Sequence, residues 1–315
     1  MMAIDVYLPT PWKLNEWHHV IPIGDVHRGS PEHDEKAYLA MLDWCRTKKN
    51  YLVIGMGEYC DWFSGSEKRA FRIGEFHDGT VYAVEREVHA RAMEHAELYR
   101  EIAQEGRLLG LAYGHHNYVF QHPEHKAWFG KEVTQLMCEH LNVPYLGFSG
   151  LLNVCMAVTH SSVKAWRHFT IYYHHGHGAA RTPGGRITPV KRKREGFDAD
   201  IYLMGHDHAK WDLPETVLNT PQPTRAARGG KLRAGGLIER ESRITHRKII
   251  YGRTGSFQKT YTQGPRASYG EVAGFHPADI GVLKISLRWK APSWATKNGG
   301  RQMVDQARLD GHASA

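Results

Sequence analysis

Five short stretches of this chain end in side chains that can bind metal ions or move protons. They are Gly24-Asp25-Val26-His27, Gly57-Glu58-Tyr59-Cys60-Asp61, Gly114-His115-His116-Asn117, His174-His175-Gly176-His177 and Gly205-His206-Asp207-His208. Each follows an apolar run that reads as a strand. Each therefore presents carboxylates or imidazoles at a strand's carboxyl end, where α/β sheets gather their ligands. Carboxylate oxygen together with imidazole nitrogen suits Mn, Fe, Zn or Ni better than Ca or Mg. A carboxylate can also bridge two ions, and two ions roughly 3.5–4 Å apart can lower the pKa of a shared water to about 7 and clamp a phosphoryl group. Taken singly the motifs are weak: Asp-x-His is common by chance, a Glu after glycine is ordinarily a solvated loop residue, and paired histidines often sit half-buried without a ligand. Gly205-His206-Asp207-His208 is the sharpest of them. It is the succession of five, each at a strand end, that calls for one metal-binding rim.

The elements that must position these groups alternate between strand and helix, which predicts an α/β layered fold. Residues 18–24, 51–57, 107–113, 151–160, 168–175 and 200–205 read as strands. Residues 33–48, 80–105 and 129–141 have helical spacing of apolar positions. Residues 181–196 and 219–236 read as loops rich in Gly and Pro. The expected organisation is one domain over residues 1–290 and a polar, flexible tail over 291–315. His89 and His95 on the long helix are six residues apart, which does not aim them at one ligand site, and they read as a solvated face.

The 315 residues suffice for one large core. The first residues, Met1-Met2-Ala3-Ile4-Asp5, lack the charged lead and apolar core of a secretory signal. No apolar run approaches the ~18–20 residues of a membrane span. The expectation is a cytoplasmic protein with no membrane partner. Cys45, Cys60, Cys138 and Cys155 are scattered and read as reduced core thiols. Net charge is +8, with 22 histidines, which favours anionic partners. Neither a P-loop nor a G-x-S-x-G elbow occurs.

The order of the five motifs resembles that of the calcineurin-like metallophosphoesterases, whose pattern runs D-x-H, G-D-x-x-D, G-N-H-D/E, a later His, then G-H-x-H. The resemblance covers roughly residues 18–285. The segments Gly57 to Ser64, Val143 to Gly147 and Phe197 to His206 look like phage- and prophage-encoded members, and Arg253 to Phe257 resembles their closing strand. The resemblance implies a sandwich of two mixed β-sheets flanked by helices. It implies a metal-dependent phosphoesterase, more a phosphodiesterase or nuclease than a monoesterase, working through a metal-bridging hydroxide and two divalent transition-metal ions. It assigns Asp25, His27 and His208 to a first ion, His175 and His206 to a second, and Glu58 to the bridging position. His175 is preferred over His174 and His177 because the family's isolated ligand is often followed by glycine. His116 takes the place of the leaving-group acid, and Asp61 that of a supporting carboxylate. An intracellular phage protein in a bacterial host fits the same likeness.

This chain departs from the family twice. Glu58 replaces the bridging Asp, and His115 replaces the Asn ligand of the second ion. One reading is compensation, in which a longer carboxylate and a ring nitrogen re-centre a nitrogen-rich site that favours Zn, Fe or Ni over Mn. The other is a weak second site, and with it a metal-binding interaction protein of little hydrolytic activity. Zinc amidohydrolases also open on a metal pair after a first strand, but that pair is H-x-H, whereas here the first pair is Asp25-x-His27 and the H-x-H of His206 and His208 comes late, and their eight βα units are not visible. The run Lys191-Arg192-Lys193-Arg194 reads either as a phosphate-contacting loop for DNA or RNA or as a solvated surface. A second stretch, Arg225 to Arg253, holds nine Lys or Arg against two Glu and points the same way. Trp62, Phe63, Trp128 and Trp166 could stack on bases, though such aromatics more often belong to a core.

Overall fold

The computed structural model describes residues 1–62, 77–178, 182–220, 231–232, 238–239, 244–264, 267–291 and 308–314. In chain order it runs β1 (Met2–Tyr7), β2 (Trp12–Lys13), β3 (His18–Ile23), α1 (Glu35–Thr47), β4 (Tyr51–Gly55), α2 (Asp78–Glu97), α3 (Arg100–Gln104) and β5 (Leu108–Ala112). There follow α4 (Val133–Leu141), β6 (Tyr145–Gly147), β7 (Ser149–His160), β8 (Val163–His174), α5 (Pro183–Arg192), β9 (Ile201–Met204) and β10 (Lys210–Asn219). The last elements are β11 (Lys231–Leu232), β12 (Ile238–Glu239), β13 (Thr245–Ser256), α6 (Tyr269–Val272), β14 (Gly281–Val282), β15 (Lys284–Lys290) and β16 (Arg308–Ser314).

The fold is mixed α/β with two large sheets. One has the order β16-β15-β3-β4-β5-β6, with β3 to β6 parallel. The other runs β1-β7-β8-β9-β13-β10, with β2 beside β7 and β14 beside β13, and β8, β9 and β13 are parallel to one another. Strands β11 and β12 form a separate two-stranded ribbon. Successive side chains of a strand face opposite ways, and the apolar residues divide accordingly. Val20, Leu52, Ile54 and Leu109 join Leu152, Val154, Phe169, Ile171, Leu203 and Ile250 in one core between the sheets. Ile21, Ile23, Val53 and Leu111 face the other way and pack on Tyr38, Leu42, Val88, Ala92 and Met137 of the helices. A third cluster holds α5 through Val190 against Tyr172, Tyr202 and Tyr251 on the outer face of the larger sheet.

Four expectations change. The helix expected over 80–105 breaks at Leu98 and Tyr99 into α2 and α3. Within the supposed loop 181–196, residues 183–192 are α5 and 193–195 a 3-10 turn; Arg181 lies outside the described residues. The helix starts where Thr182 accepts the Gly185 N–H and Pro183 supplies a preset φ at the first helical position. The expected tail contains β16, paired along β15 and fastened by a two-pronged Arg288–Asp310 ion pair, with Leu309 against the inter-sheet core. His95 is not on a solvated face: it is fully buried, its Nε2 3.1 Å from the Tyr38 hydroxyl, while His89 stacks on Trp128. No helix among the described residues is long and apolar enough to cross a membrane.

Candidate metal centre

The five motifs meet, and they come from two sheets. Asp25 and His27 follow β3, Glu58 and Asp61 follow β4, and His115 and His116 follow β5, all parallel strands of the smaller sheet. His175 follows β8 and His206 and His208 follow β9, parallel neighbours in the larger sheet. The carboxyl ends of both sheets open onto one rim, stitched by backbone hydrogen bonds: Asp25 N–H to Gly57 O at 3.0 Å, His27 N–H to Glu58 O at 2.9 Å, and Gly205 N–H to His175 O at 2.8 Å.

The side chains fall into two groups whose donor atoms lie within 4.8 Å of one another: Asp25, His27, Glu58 and His208, and Glu58, His115, His175 and His206. Glu58 belongs to both. Asp61 joins His27 and His116 in a third arrangement. Of the three neighbouring histidines, His175 is the one drawn in. His174 turns its Nδ1 back to accept the Gly176 N–H at 2.9 Å, and His177 is exposed.

The backbone is bent to achieve this. Asp25, His27, Glu58, His206 and His208 all have positive φ, between 48° and 75°, and they are five of the eight such non-glycine residues among those described. Each left-handed residue costs about 1–3 kcal/mol, and such strain collects at functional sites. Glycine is needed beside them: a Cβ on Gly114 would lie 2.6 Å from Glu58 Cγ and 2.7 Å from His175 Cε1.

Hydrogen bonding fixes two imidazole tautomers. A carboxylate or carbonyl only accepts, so His27 donates its Nδ1–H to Asp61 at 3.0 Å and His175 donates its Nδ1–H to Met56 O at 2.8 Å. Each ring then faces Glu58 with Nε2, at 3.0 Å from Oε2 for His27 and 3.0 Å from Oε1 for His175. A neutral imidazole has no second N–H to offer, so each of these acceptor pairs needs a further proton or a cation. Asp25 Oδ1 and His206 Nδ1 are buried without a hydrogen-bond partner. Asp25 Oδ2 accepts the His206 N–H at 2.8 Å, and Glu58 Oε1 accepts the His115 N–H at 3.2 Å.

Electrostatics repeat the point. Burial and the Glu58 charge push the Asp25 carboxyl up to about 7. Burial resists ionisation of Glu58, yet His175 and His27 hold it well below the usual carboxylate range. Burial opposes a charged His27, but Asp61 and Glu58 raise it to about 10. Burial lowers His208 to about 3 and His206 to about 4. The centre thus demands positive charge around Glu58 while keeping His206 and His208 neutral, as metal ligands must be. The residues fit divalent cations on both counts, and the second-sphere bonds to Asp61 and Met56 O are of the kind that orient ligating histidines.

His116 stands beside this centre, 3.3 Å from Asp61 and 4.0 Å from Glu58, with its side chain 25% exposed. Three participants were not anticipated. Phe148 lies against the rings of His115, His174 and His175, and its carbonyl accepts the His175 N–H. Asp207 and Arg253 are buried behind the β9 loop. An acidic residue between two histidines was the available signal for Asp207; the other two depend on long-range packing.

The basic run lies elsewhere. Helix α5 begins near the rim, where Arg186 O meets Arg253, and ends beside Glu215 and Tyr251, toward the amino end of β9. Lys191, Arg192 and Arg194 line a depression of about 600 Å³ there, and Lys191 is paired with Glu215. Most of the stretch 225–253 lies outside the described residues; within it Arg253 is buried and Arg247 is bonded to Asp198 and Asp200. Trp62 and Trp128 pack partly buried against the helix-side core, Trp166 is 59% exposed, and Phe63 lies outside the described residues. No protein-family model and no curated protein matches the chain.

Proposed function

We propose that this chain is a two-metal phosphoesterase of the calcineurin-like kind, acting on a phosphodiester. The observation that carries the reading is Glu58, whose two oxygens each face an imidazole nitrogen of a different ligand group. The strand-end order of Asp-x-His, Glu-x-x-Asp, His-His, His and His-x-His supports it, and so does the mixed α/β architecture with two sheets. Asp25, His27, Glu58 and His208 would hold one ion, and Glu58, His115, His175 and His206 the other. When bound, two such ions supply a nucleophile from water near neutral pH and neutralise phosphoryl charge.

The chain's own groups do the rest. His116 is one-quarter exposed beside the centre and faces Asp61, which suits it to protonate the leaving oxygen. His115, the most exposed of the ligand set, marks the side from which a phosphate reaches the centre. Lys191, Arg192, Lys193 and Arg194 would meet the backbone of a nucleic acid long enough to run from the rim along α5. Neutralising all four should then reduce the salt dependence of DNA or RNA binding, while an unchanged slope would leave a small phosphodiester as substrate.

The test is hydrolysis of an aryl phosphodiester with added Mn, Ni or Zn, with Asp25→Ala as control. Metal-dependent turnover abolished by Asp25→Ala is expected. Metal binding without turnover on any ester would favour the interaction-protein reading that the Glu58 and His115 replacements raise.

A further inference from the structure

Asp207 sits between His206 and His208 and points the opposite way. Its side chain is 4% exposed, its Oδ1 accepts the Ala209 N–H at 3.2 Å, and its Oδ2 lies 3.4 Å from Arg253 Nε. Arg253, on β13, is 1% exposed and is among the largest fully buried side chains. Its Nη1 donates to Gly205 O at 2.9 Å, and its Nε donates to Arg186 O of α5 at 2.9 Å. One guanidinium therefore bonds both the loop before His206 and the overlying helix, and lies within ion-pair distance of the residue between the two histidines, whose Oδ2 is buried with no hydrogen-bond partner. The histidines it flanks belong to different ligand groups, His206 to the one with His175 and His208 to the one with His27, and both are held at positive φ. A buried guanidinium–carboxylate pair adds little net stability for its desolvation cost. Its place behind a strained loop calls for another role.

We infer that Arg253, acting through Gly205 O and Asp207, is a positioning residue that sets the spacing of His206 and His208, so that one loop serves both ligand groups. The inference rests on the metal-centre reading above. It goes beyond that reading in making the two sites depend together on a residue that touches neither ion.

The experiment measures Co²⁺ affinity and the Co²⁺ absorption spectrum of the full chain. The variants are Arg253→Met, Arg253→Lys, Asp207→Asn and, as a control, Arg247→Met, which removes the Asp198 and Asp200 partners at the other end of β13. Arg253→Met is expected to weaken both Co²⁺ sites by about 10–100-fold, the usual effect of losing an outer-sphere partner, and to shift the absorption bands. Arg253→Lys should recover part of the loss, since it keeps the charge and a donor. Arg247→Met should lower Tm with Co²⁺ affinity unchanged. A folded Arg253→Met protein with wild-type affinities and spectrum overturns the inference, as does Arg247→Met weakening Co²⁺ equally. If Arg253→Met does not fold, Asp207→Asn decides: weaker Co²⁺ binding supports the inference and wild-type affinity overturns it. A wild-type chain that binds no Co²⁺ overturns the metal-centre reading itself, and the inference with it.

Discussion

The two ligand groups share Glu58 but are built differently. Asp25 and His27 are buried, and Asp61 locks the His27 tautomer. In the other group His175 is as deeply buried and as firmly locked, through Met56 O, but His115 is 42% exposed at its side chain, with its Nδ1 3.8 Å from Glu58 Oε1. The first group is buried apart from the half-buried His208, and the second has one ligand on the surface. A more buried site retains its ion, whereas a more open one leaves room for substrate. Of the two residues at which the chain differs from the pattern it resembles, His115 lies where the centre meets solvent and Glu58 where the two groups join.

That asymmetry can be broken by substitution. Glu58→Ala should have the largest effect, removing the shared ligand and leaving the chain with no tightly held ion and no turnover; elemental analysis after desalting checks it. His115→Ala should release only the second ion, seen as a fall from two ions to one, and His115→Asn should restore part of its binding. Equal loss of both ions in His115→Ala would show that the groups are not separable. Asp61→Asn should weaken the first ion by about 10–100-fold by unfixing the His27 ring, with the second ion little changed in a competition titration.

The effect of pH is graded and falls on the first ion. With its pKa raised to about 10, metal-free His27 is protonated at pH 8 and must lose that proton to coordinate through Nε2. First-ion affinity should therefore rise about tenfold per pH unit from pH 8 until about pH 10 and then level off. Calorimetry in buffers of different ionisation heat should register about one proton released per first ion at pH 8. The same sign governs metal-free stability: the contribution of the His27 ion pairs is full below 6.5 and is lost as pH rises through about 10.

Much of the site was legible because its residues adjoin strand ends marked by glycine, a local pattern. That pattern singled out the motifs, the family resemblance divided Asp25, His27, Glu58, His115, His175, His206 and His208 between two ions, and the structure brings these side chains into two groups. What was illegible depends on distant pairing. Nothing near β9 says that it lies in a different sheet from β3. The helix in 183–192 hid behind Pro and Gly residues that also suit a loop, although Thr182-Pro183 is a helix start. Strand β16 has little apolar character of its own and is ordered by β15 and by Arg288. His95 looked solvated from helical spacing alone, and only the approach of Tyr38 from α1 shows it to be interior.

The most direct test of the central claim is the number of ions per chain. The full-length protein, equilibrated with Mn²⁺, Ni²⁺ or Zn²⁺ and freed of unbound metal, should carry two ions of at least one of these metals, and the Glu58→Ala variant essentially none. One ion or none in the wild-type chain with every metal would contradict the account.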